Sequence, residues 1–210
     1  MVSQPSRVGL ASDQPPGGRV RRDNSGMRNT SFPGLHSPAA GFDEPFEVLS
    51  ACHDRVRRSL DLLQRLAAHV RAHGADTQAR DAARDVARYF NVAAPAHHED
   101  EERHVIPPLL GSADARLREA AQRMLADHTR IRASWAALEP LLQALQAGEV
   151  PPGLDAAAQD FVDVHDGHLE LEDGLAFPGA RDLQAAAPDA AQRRLDMGRD
   201  MAARRGVKPA

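Results

Sequence analysis

Residues 90–107 read FNVAAPAHHEDEERHVIP and residues 161–178 read FVDVHDGHLELEDGLAFP. Laid one over the other, they share a phenylalanine, a histidine seven places on, an acidic pair four and five places after that, and a closing proline. The matched residues are Phe90, His97, Glu101, Glu102 and Pro107 against Phe161, His168, Glu172, Asp173 and Pro178, and Glu99 coincides with Glu170. Seven residues are about two turns of α-helix and four are about one. Phenylalanine, histidine and glutamate therefore share one face of each segment. An earlier pair of segments repeats as well. HDRVRRS at 53–59 matches HTRIRAS at 128–134 at four of seven positions, with Val56/Ile131 a conservative fifth. The offsets of the two blocks are 75 and 71 residues, so the halves differ by one short insertion or deletion. The chain carries a duplicated pair of helices, each pair holding one lone histidine and one His-x-x-x-Glu.

Working outward, apolar residues recur at helical spacing on both sides of these blocks. Val48, Leu49, Cys52, Val56, Leu60, Leu63, Leu66 and Val70 make a stripe over 47–73, which Gly74 stops. Asp76 or Thr77 can cap a second helix running through Ala82, Val86, Phe90 and Val92 to about Val105, where Pro107-Pro108 ends it. Pro95 should kink or restart this helix. A third helix runs from about Asp114 to Gln146 through Leu117, Met124, Leu125, Ile131, Trp135, Leu138, Leu142 and Leu145, bent near Pro140. The breaker GEVPPG at 148–153 separates it from a fourth, from Asp155 to about Leu175. The expected fold is all-α: an up-down four-helix bundle with a pseudo-twofold internal repeat over residues 42–180. Residues 1–41 are rich in Ser, Gly, Pro, Asn, Gln and Arg with no period, and read as a disordered tail. Residues 181–210 read as an Ala/Arg-rich C-terminal tail able to form a short helix.

Composition narrows the function. Of 210 residues, 42% are hydrophobic but only 4% aromatic, which disfavours an all-β fold. A formal net charge of −4 argues against a nucleic-acid partner. No run approaches the ~20 apolar residues of a membrane span, and the first segment lacks the apolar centre of a secretory signal. A cytoplasmic protein with no membrane partner is expected, its oligomeric state left open. One cysteine, Cys52, excludes an intramolecular disulfide and a Cys-based zinc or iron–sulfur site.

The histidines carry the chemistry. His53 lies on the stripe with Leu49, Val56 and Leu60; His128 lies with Met124, Leu125, Ile131 and Trp135. His97/Glu101 and His168/Glu172 continue the faces of Phe90 and Phe161. All four helices thus aim a histidine at the bundle axis, and two aim a glutamate. A lone histidine on an apolar face is usually a satisfied core residue, and a lone His-x-x-x-Glu is usually a surface ion pair. Two copies in register inside a duplicated frame are a different case. Buried carboxylates with no Lys or Arg on the same face are costly unless bound to metal. Imidazole with carboxylate suits iron, manganese or zinc. A ferritin-type site would repeat Glu101-x-x-His104, but the second half has Leu175 at the place of that histidine.

His53, His97/Glu101, His128 and His168/Glu172 together resemble the H…HxxxE…H…HxxxE pattern of the hemerythrin-like HHE cation-binding domain family. The Glu101-Glu102 to Pro107 block and its echo from Glu172-Asp173 to Phe177-Pro178 resemble that family's helix ends. The likeness covers about residues 43–180. It implies a four-helix bundle holding two iron ions, a non-haem di-iron centre with a bridging oxygen. His53, His97, Glu101, His128, His168 and Glu172 would be the metal ligands, with both glutamates bridging. The implied function is to bind, sense or react with a small oxidant such as O2, NO or peroxide. A catalase- or peroxidase-like di-iron enzyme and an iron or other metal buffer are the alternatives. Invertebrate hemerythrins add a histidine one turn from the third-helix histidine. Met124 and Arg132 stand there, which favours reaction with oxidants over reversible carriage. Tyr89, His165 or another side chain could fill the vacancy. Hemerythrins with a His-x-x-x-x-Asp fourth helix keep Asp173 as an alternative bridge to Glu172.

The remaining candidates read more plainly. His98 is displaced about 100° from the His97 face and reads as solvated. His69, His73 and His104 read as surface or helix-end residues, and Cys52 as a small core residue. Arg193, Arg194, Arg199, Arg204 and Arg205 read as a solvated basic face.

Overall fold

Helix boundaries follow local signals. In the computed structural model, which describes residues 41–207, the chain forms α1 (Pro45–His73), α2 (Thr77–His104), the short α3 (Ile106–Leu110), α4 (Ala115–Gln146) and α5 (Leu154–Leu171). A π-helical turn over Glu172–Ala176 leads into α6 (Phe177–Ala185), and α7 (Ala190–Arg204) is the last element of the described residues. Pro45 opens α1, where its fixed φ and missing N–H cost nothing. Gly74 ends it with φ of +72°, a left-handed value that other residues rarely adopt. The Asp76 carboxylate accepts from Ala79 N at 2.8 Å and starts α2; Asp114 does the same for α4 through Arg116 N at 2.9 Å.

Each of α1, α2, α4 and α5 packs against two of the others, in the cyclic order α1, α2, α4, α5. Short connections at 74–76 and 147–153 make antiparallel neighbours of α1/α2 and α4/α5. The expected disordered tail, 1–41, lies outside the described residues except for Gly41.

Pro95 and Pro140 lie inside α2 and α4, and neither divides its helix. Two local expectations change. The fourth helix leaves α geometry after Leu171, four residues short of Leu175, where the π-helical turn begins. Residues 181–207 are also more ordered than their composition implies. They complete α6 and then form α7, whose Met197 and Met201 are buried with Phe46, Leu49 and Leu109. Gly198 allows this docking, because a Cβ there would stand 1.8 Å from the Phe42 carbonyl oxygen. A four-residue apolar spacing inside Arg-rich text gave too weak a periodic signal to assign α7 as core.

The interior has two apolar clusters. The larger joins α1 from Val56 to Val70 with Phe90, Ile131, Leu138 and Phe161; the smaller joins Phe46, Leu49, Ile106, Met124, Phe177 and Met201. On each of the four main helices a buried histidine lies between these clusters, joined by Glu101 on α2 and by Glu172 just after α5. A polar layer therefore crosses the bundle between two apolar floors.

Candidate metal centre

Each helix delivers its side chain to that layer at the register expected of it. His53 comes from α1, His97 and Glu101 from α2, His128 from α4, and His168 from α5, with Glu172 opening the π-helical turn. All six are at most 2% exposed, so water cannot solvate them. His97 Nε2 lies 2.9 Å from Glu101 Oε1, and His128 Nε2 lies 3.3 Å from Glu101 Oε2. His53 Nε2 lies 3.2 Å from Glu172 Oε2, and His168 Nε2 lies 3.1 Å from Glu172 Oε1. Each glutamate thus offers one oxygen to one histidine and the other oxygen to a second histidine across the layer.

These contacts are close but are not hydrogen bonds. The Nε2 atoms of all four histidines and all four carboxylate oxygens are buried without a hydrogen-bond partner. Eight orphaned donor atoms facing one another would be a heavy desolvation cost in a protein that used them for nothing. Lone pairs converging with poor hydrogen-bond angles are what cation ligation requires. The donor atoms fall into two groups within 4.8 Å, each able to hold a metal ion: His53, His97, Glu101 and Glu172, and His98, Glu101, His128 and His168. Glu101 belongs to both.

His98 in that second group corrects the solvated reading. Its side chain is only 8% exposed and its ring stacks on His128, centroids 4.3 Å apart at 24°. The physical reason is the width of the buried wedge. α2 packs against both α1 and α4, so residues 100° apart can both point inward, one to each neighbour. His97 turns towards His53 on α1, while His98 turns towards His128 on α4. Met124 and Arg132 stand where the resemblance would place a fifth histidine, and α2 brings His98 into the second group of donor atoms. The doublet His97-His98 was the available sequence signal.

Outside this layer the pseudo-twofold is repeated. Asp173 Oδ1 accepts from His53 Nδ1 at 2.7 Å, and Glu102 Oε1 accepts from His128 Nδ1 at 2.8 Å. Arg57 holds Asp173, and Arg132 holds Glu102 at 3.1 Å. Each carboxylate follows its glutamate by one residue, and each arginine follows its histidine by four. A proton held on Nδ1 leaves the Nε2 lone pair pointing inward, the arrangement common to metal-binding histidines. Asp173 therefore faces the back of His53, while Glu172 faces the layer.

The metal-free layer is charged. Burial opposes protonation of His53, but the Glu101 and Glu172 carboxylates raise its pKa to about 9. Burial likewise opposes, and Glu101 overcomes, in raising His97 well above its ordinary range. Glu101 is itself held low against its burial by His97, His128 and His53. Protons take the place of cations here, and a metal must displace them.

Two further groups flank the layer. His165 is 1% exposed; it donates from Nδ1 to the Phe161 carbonyl at 2.8 Å, and burial depresses its pKa to about 4. Asp100, fully buried, is held by Arg204 and Arg205 of the C-terminal segment. Those two arginines are therefore not part of a solvated face, a contact that only the docking of α7 creates. Cys52 is buried, as a small core residue should be.

A comparison with known families matches residues 44–180 to the hemerythrin HHE cation binding domain. The chain belongs to this family. The match spans the whole polar layer, from the helix carrying His53 to the end of the block containing Glu172. Among curated proteins, this HHE domain protein is similar to one from Haemophilus influenzae described as uncharacterized. The two are 30% identical over 169 residues, 80% of this chain and 94% of that protein. Among the described residues, no helix is long and apolar enough to cross a membrane.

Proposed function

We propose that this HHE domain holds two iron ions and uses them to bind or react with a small oxidant. His53 and His97 would serve one ion, His98, His128 and His168 the other, with Glu101 and Glu172 shared between them. The observation that carries this reading is the pair of glutamates, each with one oxygen near a histidine of either group and none of the oxygens hydrogen-bonded. A pair of irons would supply two electrons to one small molecule.

Five histidines leave fewer free positions than the four counted from sequence. Two six-coordinate ions offer about twelve positions, and this ligand set with a bridging oxygen leaves about one. One free position suits a ligand of one or two heavy atoms. A cavity of about 180 Å³ between α2 and α4 supports access for such a molecule. Its walls include Phe90, Ile131, Trp135 and Phe161, and the edge of His98 lines it as well. A cavity reaching His98 favours a role with ligands over simple metal storage. The chain's own groups do the rest: apolar walls exclude bulk water, and Asp173 and Glu102 hold two histidines in one tautomer.

Metal analysis with the optical spectrum of anaerobically iron-loaded protein, before and after oxygen, tests this reading. Two irons per chain with oxo-bridge absorption after oxygen are expected. One zinc per chain, with no such absorption after iron loading, would overturn it.

A further inference from the structure

His165 holds a buried lone pair that the proposed centre does not account for. The Phe161 carbonyl can only accept, so the 2.8 Å contact places the proton of neutral His165 on Nδ1. Nε2 is then an acceptor, buried and without a partner. The rings packed on it cannot supply a donor. His165 packs against Phe90 and Phe161, whose rings have none, at centroid distances of 5.4 and 4.3 Å. The nearby Trp135 indole already donates to Asn91 Oδ1 at 2.8 Å. A buried imidazole usually finds both its partners.

Position gives the vacancy a use. His165 precedes His168 by three residues, so the two rings lie on one face of α5 about a turn apart. It stands on the side of the larger apolar cluster, where Phe90 and Phe161 also form walls of the cavity lined in part by His98. A small molecule reaching the metal layer from that cavity would pass the two rings that pack on His165.

We propose that His165 Nε2 accepts a hydrogen bond from a protonated oxygen ligand at the centre, hydrogen peroxide, and so favours peroxide over O2 and NO. The chemistry follows from the hydrogens. Peroxide carries two O–H donors, whereas O2 and NO carry none and would leave the lone pair unsatisfied. A site built to hydrogen-bond a hydroxyl discriminates against a ligand lacking one, since the unpaired buried group then counts against binding. The inference rests on the di-iron reading for the place where peroxide binds, and on His165 alone for the preference.

The test compares wild type with His165→Phe, which keeps an apolar ring in an apolar wall, and His165→Gln, which keeps an acceptor. Reduced iron-loaded protein is mixed with hydrogen peroxide in stopped flow, and NO affinity is measured by anaerobic titration. His165→Phe should slow oxidation by peroxide roughly five- to tenfold, the worth of one net hydrogen bond. NO affinity should stay within about twofold by the same reasoning, and His165→Gln should recover part of the peroxide rate. A second readout needs no turnover. In zinc-loaded protein labelled with 15N-histidine, Nε2 of His165 should be unprotonated, and its resonance should move on adding peroxide. Unchanged peroxide rates, equal losses for peroxide and NO, or an Nε2-protonated ring would each overturn the inference. Failure of wild type to bind two irons would instead overturn the di-iron reading, while the nitrogen spectrum still reports on His165.

Discussion

Replacing Asp173 by alanine separates the inner carboxylate from the outer one. The substitution removes the acceptor of His53 Nδ1 and the partner of Arg57. His53 is fully buried, so its N–H would have no alternative protein partner. An unpaired buried donor costs about 1–3 kcal/mol, and each ~1.4 kcal/mol is a factor of ten in affinity. Asp173 is itself 40% exposed, however, and water can enter the space it leaves. That places the expected loss near the lower end, about tenfold in metal affinity, within the 10–100-fold range for outer carboxylates of metal sites. Stoichiometry should stay at two ions. Glu172→Ala removes the oxygens facing both His53 and His168, and should abolish stable occupancy of at least one position. The assay is competition against a chromophoric chelator, with the metal-to-protein ratio taken after desalting. Greater metal loss from Asp173→Ala than from Glu172→Ala would refute the assignment, because Asp173 would then be the inner ligand.

Three other outcomes are expected. Metal affinity should climb with pH up to about 9 and then level, because the raised pKa of His53 means that a proton must leave before a metal enters. The contacts favouring protonated His53 are fully present below its ordinary value of 6.5 and are lost as pH rises through 9, so metal-free stability falls over the window in which affinity rises. Near pH 7 the competition amounts to about 100-fold, and flat affinity between pH 7 and 9 would contradict it. His98→Ala should weaken the second equivalent of metal at least about tenfold and spare the first; isothermal titration resolving two equal, unchanged sites would speak against His98 as a ligand. Phe161→Ala should destabilise the metal-free protein by about 3–5 kcal/mol in urea unfolding. The ring is fully buried against Phe90, Trp135 and His165, and a loss below about 1 kcal/mol would mean the larger cluster is not close-packed there.

The duplicated text of this protein determined the bundle and the inward line of histidines. Helical period is a local property: His97 and Glu101 share a face wherever the helix lies, and the apolar neighbours of His53 and His128 declare that face buried. Asp76, Gly74 and Asp114 mark helix ends through contacts within a few residues. What depends on how helices lean together was not written locally. His98 reads as solvated while α2 is considered alone; it becomes buried because α4 covers the adjoining strip of the same helix. Glu172 and Asp173 are adjacent acids in sequence. Only the placement of α1 against the π-helical turn gives one to the inner layer and the other to the back of His53. Arg204 and Arg205 look like a basic tail until α7 docks and sets them on Asp100, more than a hundred positions away in the chain. Period and capping act over one or two turns, so one sequence carries them. A side chain's partner across a bundle depends on the packing of whole helices, which only the tertiary structure decides.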